Sequence, residues 1–379
     1  MSTTEYINIT AAVTREKGSD FVLEPAKIRA PQADEVLVKI VATGMCHTDM
    51  IVRDQDYPVP LPLVLGHEGA GIVEKVGPLV KDIEVGDHVV LSYGYCSQCS
   101  ACHSGHEPYC KEFYPRNFGG SDMEGNNAIQ DADGKPLNDH FFAQSSFATY
   151  ALSLESNTIK VSKDAPIELL GPLGCGIQTG AGAVINSLKV RPGTSFVTFG
   201  AGAVGLSAVL AAQVAGATTI IAVDVVPSRL KLAKELGATH IINSKEEDVV
   251  EKVRDITGGG ALFALESTGI PTVLRQGIDS LGTLGTIGVV GAPALETDAS
   301  FDVNDLLLGG KSIQGIVEGD ATTKIFIPQL VELYLQGRFA FDKLVKYYDF
   351  KDINQAAKDS AEGITLKPII RIADQVQIG

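Results

Sequence analysis

The chain has 379 residues, 45% hydrophobic and 20% charged, with a formal net charge of −15. Such a length suggests two domains of about 100–200 residues each, with a core large enough to need no disulfides. A surface this acidic repels phosphate backbones and anionic bilayers, which argues against nucleic-acid and membrane partners.

The N-terminus, MSTTEYINITAA, has no basic start followed by a long apolar run, so it does not read as a secretory signal. No apolar run reaches the ~18 residues of a membrane span. Glu35–Val41 alternates polar and apolar residues and predicts a half-buried strand. Gly44-Met-Cys46-His47-Thr48-Asp49 then reads as a loop, and Gly66-His67-Glu68-Gly69 as a link between two strands. Gly69–Gly77 and Asp87–Leu91 predict further strands bounded by glycine. Residues 116–140 are polar, with several Gly, Asn and Asp, and read as a long surface loop.

The character changes after Cys175. Strands are predicted at Ser195–Gly200, Thr219–Val225, His240–Ile242, Ala261–Glu266 and Thr286–Val290. Helices are predicted after the first of these, through Ala215, and at Pro227–Leu236 and Glu246–Thr257. This alternation implies a parallel sheet covered by helices on both faces. The tail from about residue 319 reads as helix-rich, closing on a strand-like Pro368–Ile372.

Of the six cysteines, Cys96, Cys99, Cys102 and Cys110 fall within fifteen residues. In a chain with no export signal, that clustering favours metal over disulfides. Four thiolates can surround one zinc ion tetrahedrally and leave no corner for substrate, so this zinc would be structural, pinning a lobe at residues 92–112. Cys46 and Cys175 are left over. With His67 they would form a three-ligand site whose fourth position is open, as catalytic zinc requires, although spacing alone does not decide it. Asp49 and Glu68 each sit beside a proposed ligand, where a carboxylate can orient a metal-bound histidine.

A glycine fingerprint follows the Ser195 strand: Gly200 for a tight turn, Gly202 for close approach of a pyrophosphate, and Gly205 for helix–strand packing. With Val204 these open a helix whose free N–H groups suit phosphates. Asp224 ends the next strand, where a carboxylate can bind ribose hydroxyls and repel a 2′-phosphate, favouring NAD over NADP.

Taken together, GMCHTD, GHEGAGIVEKVG, the four-Cys lobe, LGCGIQTG and FGAGAVG with Asp224 resemble the zinc-containing medium-chain dehydrogenase/reductase family across nearly the whole chain. The nearest resemblance is to its microbial aryl-alcohol and benzyl-alcohol dehydrogenase branch. It implies an α/β protein: a Rossmann doubly wound sheet (residues 177–318) inserted in a mainly β, GroES-like catalytic domain (1–176 and 319–379). It further implies NAD and two zinc ions per chain. Cys46, His67 and Cys175 would hold the catalytic zinc. Glu68 would be a conditional ligand or a carboxylate just behind the ligands. Thr48 would bind the substrate oxygen and start a proton relay. His47 and Lys367 would meet the pyrophosphate, Thr179 the nicotinamide, and Arg229 the adenosine ribose. Many relatives carry a histidine three residues after the Thr48 position; here it is Ile51, which cannot pass a proton on.

The expected activity is reversible NAD-linked oxidation of primary alcohols, aromatic or allylic, to aldehydes, in a cytoplasmic homodimer or homotetramer. The alternatives are a glutathione-dependent formaldehyde dehydrogenase, a polyol dehydrogenase of the same family, and a non-catalytic nucleotide-binding relative. The substrate pocket would draw on residues near Ser92, Tyr93, 113–120, Ala292 and Val317. Glu318 and Asp320 are unusual acids for that region.

Overall fold

The structure, a computed structural model, describes residues 5–372. They divide into two compact units, residues 5–175, 322–335 and 342–372 in the first and residues 176–321 and 336–341 in the second. The strands of the first unit begin with β1 (Tyr6–Thr14), β2 (Val22–Arg29), β3 (Glu35–Gly44), β4 (Leu63–Val64) and β5 (Glu68–Val76). They continue with β6 (His88–Leu91), β7 (Ile129–Asp131), β8 (Pro136–Leu137), β9 (Tyr150–Leu154) and β10 (Thr158–Lys160). The second unit holds β11 (Ser195–Phe199), β12 (Thr219–Asp224), β13 (His240–Asn243), β14 (Ala261–Glu266), β15 (Leu281–Val289) and β16 (Ser312–Gly315). The chain then returns to the first unit with β17 (Val345–Asp349) and β18 (Lys367–Arg371).

Helices α1 (His47–Arg53), α2 (Ser100–His103), α3 (Phe113–Phe118) and α4 (Ile167–Leu170) belong to the first unit. The second contributes α5 (Gly176–Gly182), α6 (Ala203–Val214), α7 (Pro227–Glu235), α8 (Val249–Thr257), α9 (Pro271–Asp279) and α10 (Val303–Gly309). The return carries α11 (Thr323–Leu335) and α12 (Ile353–Ala361). Among the described residues, no helix is long and apolar enough to cross a membrane.

The first unit is mainly β, with one sheet ordered β4-β1-β2-β7-β8 and a second ordered β10-β6-β5-β3-β18-β17, where β9 also pairs with β3. Its centre is β3. Val36, Val38 and Ile40 pack into one core, while Leu37, on the opposite face, packs into another. The predicted half-buried strand is therefore covered on both sides at its start, and each such fully buried aliphatic side chain contributes ~1.5–3 kcal/mol. Residues 116–140 are not one loop: β7 and β8 lie within them and extend the first sheet. Buried Asp139 organises the stretch, its Oδ2 accepting the N–H groups of Ala128 and Ile129 at 2.6 and 2.7 Å.

The second unit is a six-stranded parallel sheet ordered β13-β12-β11-β14-β15-β16. Its core joins Val197 and Phe199 of β11 to Ile221, Val223, Ala264 and Ile287 of neighbouring strands. The helix predicted from Glu246 starts instead at Val249, because Asp248 caps it by accepting the Glu251 N–H at 3.0 Å. It stops at Gly258, whose φ of 71° is the left-handed turn that ends many helices. Strand β15 begins at Leu281, five residues before the predicted start, because its first half (LGTLG) is glycine-interrupted and carries a bulge against β14.

Candidate metal centres and dinucleotide site

Strand β3 delivers Cys46 to the first centre. The GMCHTD segment is not a loop: Cys46 is the N-cap of α1, and the Asp49 side chain reaches back to its N–H at 2.9 Å. The other oxygen of Asp49 lies 3.0 Å from His67 Nδ1 and accepts the Gly66 N–H at 3.1 Å. Asp49 is fully buried, so one carboxylate ties two chain segments together in a place where its bonds are not diluted by water. The His67 ring is also buried, stacked on Phe142 at 4.5 Å and edge-on to Phe141 at 5.3 Å.

With Nδ1 engaged by a carboxylate, the lone pair of His67 falls on Nε2. That atom is buried and has no hydrogen-bond partner. A buried polar atom left unsatisfied calls for a ligand, and the donors around it supply the reason. One ligand atom each from Cys46, His67, Glu68 and Cys175 all lie within 4.8 Å of one another.

The charges of this cluster balance. Cys46 is held well below the usual thiol range, first by a hydrogen bond with Cys175, against the cost of burial and with help from Lys367 and His67. Burial works against a charged His67, but Asp49 outweighs it and lifts the imidazole well above its usual range; a cation on Nε2 would displace that proton. Two thiolates neutralise one dication. Glu68 is compensated separately by Lys367, whose Nζ lies 2.8 and 3.0 Å from its two oxygens. Burial disfavours the Lys367 ammonium, yet Glu68 keeps it charged. A Cys2His zinc site thus fits without requiring Glu68 as a ligand. The lysine side chain is only 3% exposed, with its ammonium held by this carboxylate.

The second centre is the lobe of Cys96, Cys99, Cys102 and Cys110, all four of them free thiols. The Sγ atoms of Cys96 and Cys102 are 3.9 Å apart, and those of Cys99 and Cys102 3.6 Å. These match the edge of about 3.8 Å expected for a tetrahedron with ~2.3 Å zinc–sulfur bonds. Backbone N–H groups point at the sulfurs: Cys96 N at Cys110 Sγ (3.2 Å) and Cys99 N at Cys96 Sγ (3.3 Å). Backbone hydrogen bonds also bring the Cys99 thiol down to about 6. The chain therefore carries two zinc sites.

In the second unit, Gly200 adopts φ +98°, the left-handed turn that its place after β11 requires. A side chain on Gly202 would project into open space at the N-cap of α6, where a phosphate needs room. Asp224 ends β12 with one oxygen accepting Ala201 N at 2.7 Å and the other accepting Val225 N and Val226 N at 2.8 Å. Arg229 Nη1 stands 3.9 Å from that carboxylate. Thr179 Oγ1 is 3.5 Å from Glu318.

Thr48 Oγ1 lies 3.8 Å from Cys46 Sγ, at the edge of the first metal centre. His47 is exposed at the start of α1, and Ile51 is partly buried one turn on. Gln144 gave no signal in sequence. It is buried and bonds His67 O (2.9 Å), Gly69 N (3.0 Å) and Ser92 O (3.3 Å). Ser92 in turn donates to Gly174 O at 2.6 Å, next to Cys175. Only the fold could reveal a side chain that lies 77 residues from the histidine it holds.

Comparison with known proteins agrees with this geometry. Residues 32–163 match the alcohol dehydrogenase GroES-like domain, and residues 203–334 match the zinc-binding dehydrogenase domain. A geraniol dehydrogenase of Castellaniella defragrans is 44% identical over 369 residues, covering 97% of this chain and 99% of that protein. The crystal structure of benzyl alcohol dehydrogenase from Acinetobacter calcoaceticus is similar with a TM-score of 0.95 and 68% identity, covering 97% of this chain and 100% of that one. An alcohol dehydrogenase zinc-binding domain protein from Burkholderia ambifaria gives a TM-score of 0.97, also at 68% identity and the same coverage. With its mainly β, GroES-like unit, its Rossmann sheet and its two zinc sites, the chain belongs to the zinc-binding medium-chain alcohol dehydrogenase family.

Proposed function

We propose that this chain oxidises aromatic and allylic primary alcohols to aldehydes, reversibly, with NAD. The observation that carries the reading is the convergence of Cys46, His67 and Cys175, with Glu68 already neutralised by Lys367. Three protein ligands leave a coordination position for a small molecule. The substrate class is supported by the names of the benzyl alcohol and geraniol relatives, and by the rings of Phe141 and Phe142 beside His67.

Bound zinc supplies a Lewis acid that makes an alcohol hydroxyl more acidic, and the nicotinamide supplies a hydride acceptor. The chain does the rest. Thr48, whose Oγ1 lies at the edge of the metal centre, would take the hydroxyl proton. Ile51 cannot carry it further, so the relay ends there or continues through water. Gly200, Gly202, Val204, Gly205 and the α6 N-terminus would hold the pyrophosphate, with His47 as a basic contact. Asp224 and Arg229 would hold the adenosine ribose, and Thr179 would meet the nicotinamide. Asp49 and Phe142 keep the metal-binding imidazole from turning, and Gln144 fixes the main chain that carries it.

The test is NADH formation on benzyl alcohol, geraniol and ethanol, and on formaldehyde with and without glutathione. Benzyl alcohol and geraniol should lead in kcat/KM. A strict requirement for glutathione with formaldehyde would replace this reading with its closest rival.

We also propose a homo-oligomer, dimer or tetramer. On α10, Val303, Leu307 and Leu308 are 67%, 71% and 83% exposed, and β16 lies at the end of its sheet. An apolar patch beside an open strand edge suits a second copy. Light scattering that gives a monomer at micromolar concentration would reject it.

A further inference from the structure

The segment that follows β16 has an unusual backbone. Glu318, Gly319 and Asp320 have φ values of 49°, 66° and 48°, three consecutive residues in the left-handed region. Two of the three carry side chains that disfavour it, and strain of this kind persists only where the surroundings enforce it. Here α5 and the turn after it enforce it. Asn186 Nδ2 donates to Gly319 O at 3.1 Å, and the backbone of Gly182 packs so closely on Gly319 that a side chain there would overlap its carbonyl.

The strain holds one group in place. Glu318 is 8% exposed, and its Oε2 accepts Gln178 Nε2 at 3.1 Å and lies 3.5 Å from Thr179 Oγ1. Both groups can donate to this carboxylate. A bulky apolar residue would fill this place without needing such support, so the support points to a use for the charge.

The sheet indicates what lies near it. In a doubly wound sheet the dinucleotide lies across the C-terminal strand ends and changes halves at the switch point, here between β11 and β14. Asp224, at the end of β12, marks the adenosine half. The nicotinamide half therefore belongs to the ends of β14, β15 and β16, and Glu318 comes three residues after β16 ends at Gly315. The oxidised nicotinamide ring is a cation and the reduced ring is neutral, so a fixed anion on this half distinguishes them.

We propose that Glu318 sets the redox preference of the dinucleotide site, its carboxylate favouring the oxidised cofactor over the reduced one. This rests on the second unit binding a nicotinamide dinucleotide. It predicts easier release of the reduced product and a bias toward alcohol oxidation.

The test measures dissociation constants of NAD+ and NADH on the zinc-loaded enzyme by titration calorimetry, for the parent and for Glu318→Gln, which keeps shape and loses charge. The ratio of the NAD+ constant to the NADH constant should rise about tenfold, the size of one charge–charge interaction of ~1.4 kcal/mol. Glu318→Asp, which keeps the charge, should leave the ratio within about twofold of the parent. If Glu318→Gln does not fold, Glu318→Met, neutral and of similar length, gives the same readout. An unchanged ratio in the neutral variant, or an equal shift in Glu318→Asp, overturns the proposal. Failure of the dinucleotide reading looks different, because then neither form of the cofactor binds.

Discussion

Asp49 Oδ1 sits 3.0 Å from His67 Nδ1 while Asp49 Oδ2 accepts the Cys46 N–H at 2.9 Å. One carboxylate thus positions two metal ligands that are 21 residues apart in sequence. Asp49→Asn keeps the shape but removes the charge that orients the imidazole. Turnover should fall about 10- to 100-fold, and zinc at this centre should be lost to a chelator faster than in the parent. Parent-like zinc retention and kcat in this variant would remove Asp49 from the mechanism.

The two metal centres are separable. Cys102→Ser should lower zinc content from two ions per chain to one and lower the melting temperature, since four thiolates hold the lobe. Cys46→Ala should also leave one zinc, but with turnover abolished and the lobe intact. Elemental analysis with thermal melts distinguishes the two outcomes. Turnover by Cys46→Ala that retains only the lobe zinc would refute the assignment.

Asp224 closes the turn after β12, and in the proposed cofactor site its charge would repel a 2′-phosphate. Asp224→Ser should raise the NADP/NAD ratio of kcat/KM by about tenfold or more. Affinity for NAD should fall too, because three backbone N–H groups lose their acceptor. Cofactor kinetics with both dinucleotides check this, and unchanged discrimination would assign selectivity elsewhere.

Acid stability should report on Asp359. Its carboxylate accepts Tyr348 OH at 2.5 Å, Gln355 Nε2 at 2.6 Å and Lys346 Nζ at 2.9 Å. Those hydrogen bonds, the tyrosine first, bring it from 3.8 down to about 2. A carboxylate depressed on folding stabilises the native state above its unfolded value and loses that contribution as pH falls through its folded one. Melting temperature should therefore drop between pH about 4 and 2. Asp359→Asn should melt lower at neutral pH and show a shallower drop in that window; identical slopes in the two proteins would contradict the assignment.

Local signals carried much of this structure, and long-range ones did not. The four-thiol lobe was legible because its ligands lie within fifteen residues. The glycine turn was legible because strand, turn, helix and acid follow one another. Cys46 looked like a loop residue because α1 is only seven residues long and its cap comes from Asp49 rather than from a strong capping residue. Strands β7 and β8 were missed because three- and two-residue strands have no periodicity to read, and buried Asp139 sets their place. The Glu68–Lys367 pair spans 299 residues, and no pattern in sequence announces it.

The ligands of the two metals appear in different order along the chain. All four lobe thiols exist once residue 110 has been synthesised, whereas the other centre lacks Cys175 until 65 more residues follow, and lacks the lysine opposite Glu68 until 367. During translation the lobe can load metal while its neighbour still offers a loose Cys–His pair. Growth in zinc-poor medium should then yield chains already filled at the lobe and deficient at the working centre: molecules that are folded, soluble to purification and idle, and that wake on adding the metal.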